Sequence, residues 1–89
     1  MESIWFHNGI MDKYKWYERL VGKDTIKDVA RKAGISATTA WRQYADGALN
    51  FSAENVILIA RAYGTSPVKA LVTFGYLMAP EGTLEIGID

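Results

Sequence analysis

The 89-residue chain is predicted to fold as one all-α domain, a compact arrangement of five helices. Three observations predict this fold class. Apolar residues recur at helical spacing in five successive segments, a serine or threonine precedes four of these segments, and a glycine follows each of the five. The length leaves room for a single hydrophobic core, so the helices are expected to share it.

The first helix is predicted from Ile10, whose spacing is continued by Tyr14, Tyr17 and Val21 until Gly22 ends the segment. The tyrosines of this stripe, together with Tyr63 of the fourth helix, are expected in the core.

The remaining four helices are predicted from their N-cap residues and from the glycines that end them. The second covers about residues 25–33, where Thr25 and Asp28 have the spacing of a capping box. Ser36 caps a third helix that runs to about Ala45 before Asp46-Gly47. The fourth runs from Ser52 to Gly64, and the fifth from Ser66-Pro67 to Gly75.

Both ends of the chain fall outside this pattern. We expect an N-terminal segment over residues 1–9, the helical domain over residues 10–79 and a tail over residues 80–89. In the tail, residues 83–88 alternate with period two, which predicts a short terminal β-strand. It can pair with Ile4–Phe6 in the same chain, pair with its copy in a second subunit, or remain unpaired.

Composition excludes several classes of protein. The chain has no cysteine and a single histidine, His7, so it cannot assemble a disulfide framework, a zinc site or a His-activated nucleophile. It has no glycine-rich phosphate loop and no apolar run near the roughly 20 residues that cross a bilayer. We expect no enzyme activity, cofactor, metal or small-molecule ligand, no membrane association, and a cytoplasmic location in a bacterium or phage-infected cell.

Two helices joined by a short glycine-containing turn form a helix-turn-helix pattern over residues 25–42. Ala30 is small enough for two helices to cross closely, Gly34 can adopt the left-handed conformation that the turn needs, and Ile35 fills the corner. This combination of small and apolar positions is more specific than an ordinary helical hairpin.

Residues 25–42 resemble the helix-turn-helix of bacterial repressors, and residues 25–36 alone are similar to the first helices of the lactose-repressor family. In that family the motif opens the chain, whereas here a helix precedes it. Five helices with the motif at the second and third, followed by Ser52–Val56 and Ala60–Gly64, resemble lambda-repressor-like domains, which include phage repressors and Cro-type regulators. Residues 62–64, 66–68 and 75–77 look like actinobacterial phage immunity repressors. The resemblance covers about residues 10–80.

The resemblance implies that the third helix enters the major groove of operator DNA. The residues that it would bring to base edges are Ala37, Thr38, Trp41, Arg42 and Gln43. Arg42 can bind guanine, and Ala37 or Thr38 can contact a thymine methyl. Gln43 can either bind adenine or be partly buried. Trp41 departs from the small polar residue common at this position; it can pack on the DNA backbone or in the protein core.

Phosphate contacts are expected at the starts of the second, third and fourth helices. The candidate residues are Lys23, Thr25, Lys27, Ser36, Asn50 and Ser52. Arg31 and Lys32 either point the same way or are merely solvated.

Charge is segregated although the chain has ten basic and ten acidic residues. Between Lys13 and Arg42 there are eight basic residues against three acidic ones, which favours one positive face. We therefore expect a sequence-specific transcription regulator that binds double-stranded DNA as a homodimer, with a monomer on an asymmetric site left open. The alternative is a helical protein-interaction module, such as an antitoxin-like or anti-repressor partner.

Overall fold

The computed structural model describes residues 12–78, and all regular structure in this range is helical. The helices are α1 (Lys13–Val21), α2 (Ile26–Ala33), α3 (Ala37–Tyr44), α4 (Ala53–Ala62) and α5 (Pro67–Thr73), with a single 3-10 turn at Ala45–Gly47. The predicted all-α domain of five helices is confirmed. The segment 1–9 with His7, the tail 80–89 and its strand lie outside the described residues.

Each helix begins at a side chain that accepts a hydrogen bond from a backbone N–H three residues later. The four predicted caps, Thr25, Ser36, Ser52 and Ser66, all act in this way. Such caps stabilise a helix because its first N–H groups otherwise have no partner. The cap of α1 is Asp12, which accepts from the Lys15 N–H, whereas the sequence predicted helical spacing from Ile10.

The core lies between the five helices, with Ala40 as the contribution of α3, and every buried residue among the described ones is apolar or aromatic. Phe51, Val29, Val56 and Ile59 are its largest fully buried side chains. Phe51 lies in the loop before α4, so this loop is anchored in the core rather than laid over the surface.

The face that α1 turns toward the core differs from the predicted one. Tyr14 was expected in the core but is 53% exposed, whereas Trp16 is only 7% exposed. Tyr17 and Val21 are buried as predicted. The predicted stripe was therefore wrong at Tyr14, because the helix is rotated so that Trp16 packs edge to face on Phe74 of the segment after α5.

Six aromatic rings follow one another from the exposed surface of α3 through the core to α1, with neighbouring ring centroids 5.4–6.3 Å apart. We call this series the aromatic chain; its members in order are Trp41, Tyr44, Tyr17, Phe51, Phe74 and Trp16. At these distances tilted and edge-to-face pairs are favourable. The aromatic chain connects the predicted DNA-reading helix directly to the centre of the domain.

Candidate nucleic-acid interface

The turn between α2 and α3 has the conformation that the helix-turn-helix pattern predicts. Gly34 has φ 77° and ψ 29°, in the left-handed region. The N–H groups of Gly34 and Ile35 both donate to the Ala30 carbonyl at 2.9 Å, which closes α2. Ala30 is buried in the core, and half-buried Ile35 packs against the core. Local geometry at these three positions therefore agrees with their predicted roles.

One face of α3 is open to solvent. Four of the five predicted base-reading residues, Ala37, Thr38, Trp41 and Arg42, are exposed. They lie at positions i, i+1, i+4 and i+5, which share one side of a helix. Ala40 on the other side is 1% exposed and packs into the core. This face of the helix thus presents two small side chains, one indole and one positive charge, that of Arg42.

Trp41 is 55% exposed, so it does not take the core position that was one of its two interpretations. Its ring meets that of Tyr44 at 6.2 Å and 84°, an edge-to-face contact. Tyr44 in turn contacts buried Tyr17 at 6.0 Å. The indole therefore packs against Tyr44 on one side, and much of its surface remains accessible to solvent.

Gln43 is half-buried, and its side chain joins α3 to the start of α4. Its Oε1 atom accepts from the Ser52 N–H at 2.9 Å and from Asn55 Nδ2 at 3.0 Å. The Ser52 hydroxyl caps α4 by accepting from the Asn55 N–H. Of the two interpretations, the partly buried one describes the observed position, and Gln43 aligns the start of α4 with α3.

The loop that follows α3 contains three left-handed residues that are not glycine: Ala45, Asp46 and Leu49, with φ of 48°, 57° and 55°. Such residues are strained by about 1–2 kcal/mol each. The Leu49 carbonyl accepts from Lys13 Nζ at 3.1 Å, and the Asn50 N–H donates to the Gln43 carbonyl at 2.7 Å. These contacts hold the exposed Asn50 side chain next to the end of α3.

The predicted phosphate-binding residues are all accessible at least in part. Lys23, Thr25, Lys27, Ser36 and Asn50 are exposed, and Ser52 is half-buried. The three helix N-termini on which they lie differ in charge. The first turn of α3 carries no acidic residue, whereas that of α2 contains Asp28 and that of α4 contains Glu54. An anion is therefore favoured most at Ser36.

The start of α2 is already occupied by a carboxylate of the chain itself. Asp28 Oδ2 accepts from the Thr25 N–H at 3.0 Å, which completes the predicted capping box. Asp28 Oδ1 accepts from Arg31 at 3.1 Å. The Thr25 backbone and Arg31 together hold the pKa of Asp28 below its usual value. The Thr25 N–H is therefore already paired within the chain, and a phosphate contact at Thr25 stays a prediction.

A second cluster joins the loop before α2 to the end of α4. Asp24 Oδ2 accepts from Lys32 Nζ and from the Tyr63 hydroxyl, both at 2.6 Å. These hydrogen bonds, first that of Lys32 and then that of Tyr63, lower the pKa of Asp24. Burial and the neighbouring carboxylate raise the pKa of Tyr63. Tyr63 is half-buried as part of this cluster rather than enclosed in the core.

The two side-chain ion pairs of the described residues engage Arg31 with Asp28 and Lys32 with Asp24. Arg31 and Lys32 are thus matched by acidic partners on the same side of the domain. The excess positive charge of this region is left to other exposed residues: Lys15 and Arg19 on α1, Lys23 before α2, Lys27 in its first turn and Arg42 on α3. The exposed positive charge is thus distributed over α1, the start of α2 and α3.

Comparison with protein-family models, curated proteins and solved structures finds no match to the chain. Within residues 12–78 no group of three or more His, Cys, Asp or Glu side chains is placed to hold a metal ion. None of the described helices has the length and apolar character needed to span a membrane.

Proposed function

We propose that this chain is a sequence-specific double-stranded DNA-binding regulator, of the phage-repressor or Cro type, that places α3 in the major groove. The observation that carries the proposal is the open face of α3, which follows α2 after a turn of three residues. The residues exposed together on this face are Ala37, Thr38, Trp41 and Arg42. A helix that reads bases must present short or hydrogen-bonding side chains with nothing packed over them.

Three further features support this proposal. The N-terminus of α3 is capped by Ser36 and lacks an acidic residue, so it can approach a phosphate without repulsion. Lys23 and Lys27, just before and within the first turn of α2, are exposed and carry positive charge that can meet phosphates. Gln43 and Ser52 tie the start of α4 to α3, which gives Asn50 a defined position at the same edge.

The test is selection of bound duplexes from a random pool, with purified protein at near-physiological salt. We expect one enriched motif whose symmetry reports whether a homodimer or a monomer reads it. On the enriched duplex, the logarithm of affinity should fall steeply with the logarithm of salt concentration, because phosphate contacts release counterions.

Arg42→Ala should relax sequence preference at one position and cost about 1–3 kcal/mol there, because Arg42 can bind both acceptors of guanine. The matched control is Arg61→Ala, which removes the same side chain from the last turn of α4, at the far end of that helix from Ser52. The control should leave the motif unchanged. An equal loss on every duplex would reduce Arg42 to a phosphate contact.

A second candidate is the protein-interaction module. It is favoured by exposed apolar side chains at the end of the described chain, where Tyr76, Leu77 and Met78 are 48%, 44% and 84% exposed. A folded protein that enriches no duplex would favour this function over DNA binding.

A further inference from the structure

The exposed indole of Trp41 is the largest apolar group on the open face of α3. Aromatic side chains of this size are normally placed where they remove apolar surface from water. At 55% exposure Trp41 leaves much of that surface uncovered.

The neighbours of Trp41 on this face are methyl-bearing. Ala37 precedes it by one helical turn and Thr38 lies three residues before it, so all three share one stripe of the helix. Arg42 supplies the single formal charge of α3. A partner for this stripe therefore needs an apolar group, with a hydrogen-bond acceptor beside it for Arg42.

Resting on the proposed function, we propose that Trp41 recognises the 5-methyl group of one thymine in the DNA site. The methyl of thymine is the apolar group that base pairs display in the major groove, where α3 would lie. Phosphates are a poorer match because they could accept a hydrogen bond from the indole N–H but would leave the apolar surface of the ring exposed to water. Insertion between base pairs is also a poorer match because it requires unstacking, which minor-groove proteins compensate by bending the duplex.

The structure also explains why the indole can discriminate by one methyl group. Its edge-to-face contact with Tyr44, at 6.2 Å, restricts its position, and Tyr44 is itself held by Tyr17 in the core. A side chain that is ordered before binding loses little conformational entropy when it makes its contact. The aromatic chain therefore acts as the support of the methyl-reading residue.

The experiment replaces each thymine of the selected duplex, one at a time, by deoxyuridine, which removes the methyl and leaves the base pair intact. We expect one position at which this change lowers the affinity of the unmodified protein about fourfold, as for loss of one buried methyl group. At that position a cytosine duplex should regain affinity when the cytosine is methylated at carbon 5.

Trp41→Ala should abolish the difference between thymine and uracil at that position. The matched variant Arg42→Ala should bind both duplexes more weakly while keeping the difference between them. Thr38→Ala tests the neighbouring methyl and should keep the sensitivity at the Trp41 position.

Three outcomes would overturn the inference. Uracil tolerated at every position would mean that no methyl is read. Trp41→Ala losing the same affinity on thymine and uracil duplexes would mean that the indole packs on the DNA backbone. If no duplex is enriched, both the proposed function and this inference are refuted. If a specific motif is enriched but its affinity does not depend on the thymine methyl, only this inference is refuted.

Discussion

Gln43 offers a quantitative test of how α3 is attached to the rest of the domain. Its Oε1 atom accepts two partly buried hydrogen bonds, from the Ser52 N–H and from Asn55 Nδ2. Gln43→Met keeps the length of the side chain but removes the acceptor. With about 1 kcal/mol for each hydrogen bond, the free energy of unfolding should fall by about 2 kcal/mol. For a domain of this size the melting temperature should fall by about 8–16 °C.

Denaturant unfolding of the two proteins, followed by circular dichroism, measures this difference. Gln43→Glu is the matched control, because it keeps an acceptor oxygen at the same place and should retain most of the stability at neutral pH. In an Asn55→Ala background, Gln43→Met should cost less than in the unmodified protein, because one of its two partners is already absent. A Gln43→Met protein within about 0.5 kcal/mol of the original would refute the reasoning, since surface substitutions commonly have effects of that size.

Three further predictions concern the backbone and pH. Ala45→Gly should stabilise the domain by about 0.5–1 kcal/mol because Ala45 has φ 48°. The control Ala62→Gly in α4 should destabilise the domain by a similar amount. A melting temperature that changes in the same direction in both variants would contradict this prediction. Gly34→Ala should cost about 1 kcal/mol because of its φ of 77°, since apart from its own neighbours in the chain nothing lies within 4 Å of the added carbon. An unchanged melting temperature would exclude strain there. Burial and Tyr44 raise the pKa of Tyr17 from 10.0 to about 12. The un-ionised Tyr17 side chain therefore stabilises the fold fully below pH 10, and this contribution disappears as the pH rises toward 12. The Tyr17→Phe protein should lose less stability than the unmodified protein over this pH range, and identical pH profiles of the two would contradict the prediction.

Helix boundaries were the part of the fold that the sequence predicted best. The predicted caps form because a short side-chain oxygen can reach the N–H three residues later, independently of the tertiary structure. These caps are Thr25, Ser36, Ser52 and Ser66. Gly34 adopts its left-handed conformation for an equally local reason. Signals of this kind depend on neighbouring residues alone, so they can be read without knowledge of the fold.

Which face of a helix is buried depends on distant residues, and here the sequence was less informative. The predicted stripe on α1 included Tyr14, whereas the buried residue is Trp16, which packs on Phe74 from a segment distant in the sequence. The left-handed conformation of Ala45 was not predicted either, because Asp46-Gly47 was the evident turn and alanine carries no signal for that conformation.

The candidate site shows the same division between local and distant effects. The resemblance to repressor domains implied that Ala37, Thr38 and Arg42 face outward, and all three are exposed. The bond from Asn55 to Gln43 could not be predicted, because it joins residues twelve positions apart on two helices. At the start of α2 the capping box was predicted, but its effect on a phosphate at Thr25 becomes evident only when the Asp28 carboxylate is seen on the Thr25 N–H.

The aromatic chain places tryptophans in two different environments, exposed at Trp41 and buried at Trp16. Their fluorescence should differ accordingly, with emission from Trp41 at longer wavelength and open to quenching by iodide. In a Trp5→Phe background, which removes the third tryptophan of the chain, the difference between the spectra of the protein and its Trp41→Phe variant isolates the surface signal, and Trp16 remains in both as a monitor of core packing. The domain thus carries an intrinsic optical probe at the proposed binding face and a second one that reports whether it is folded.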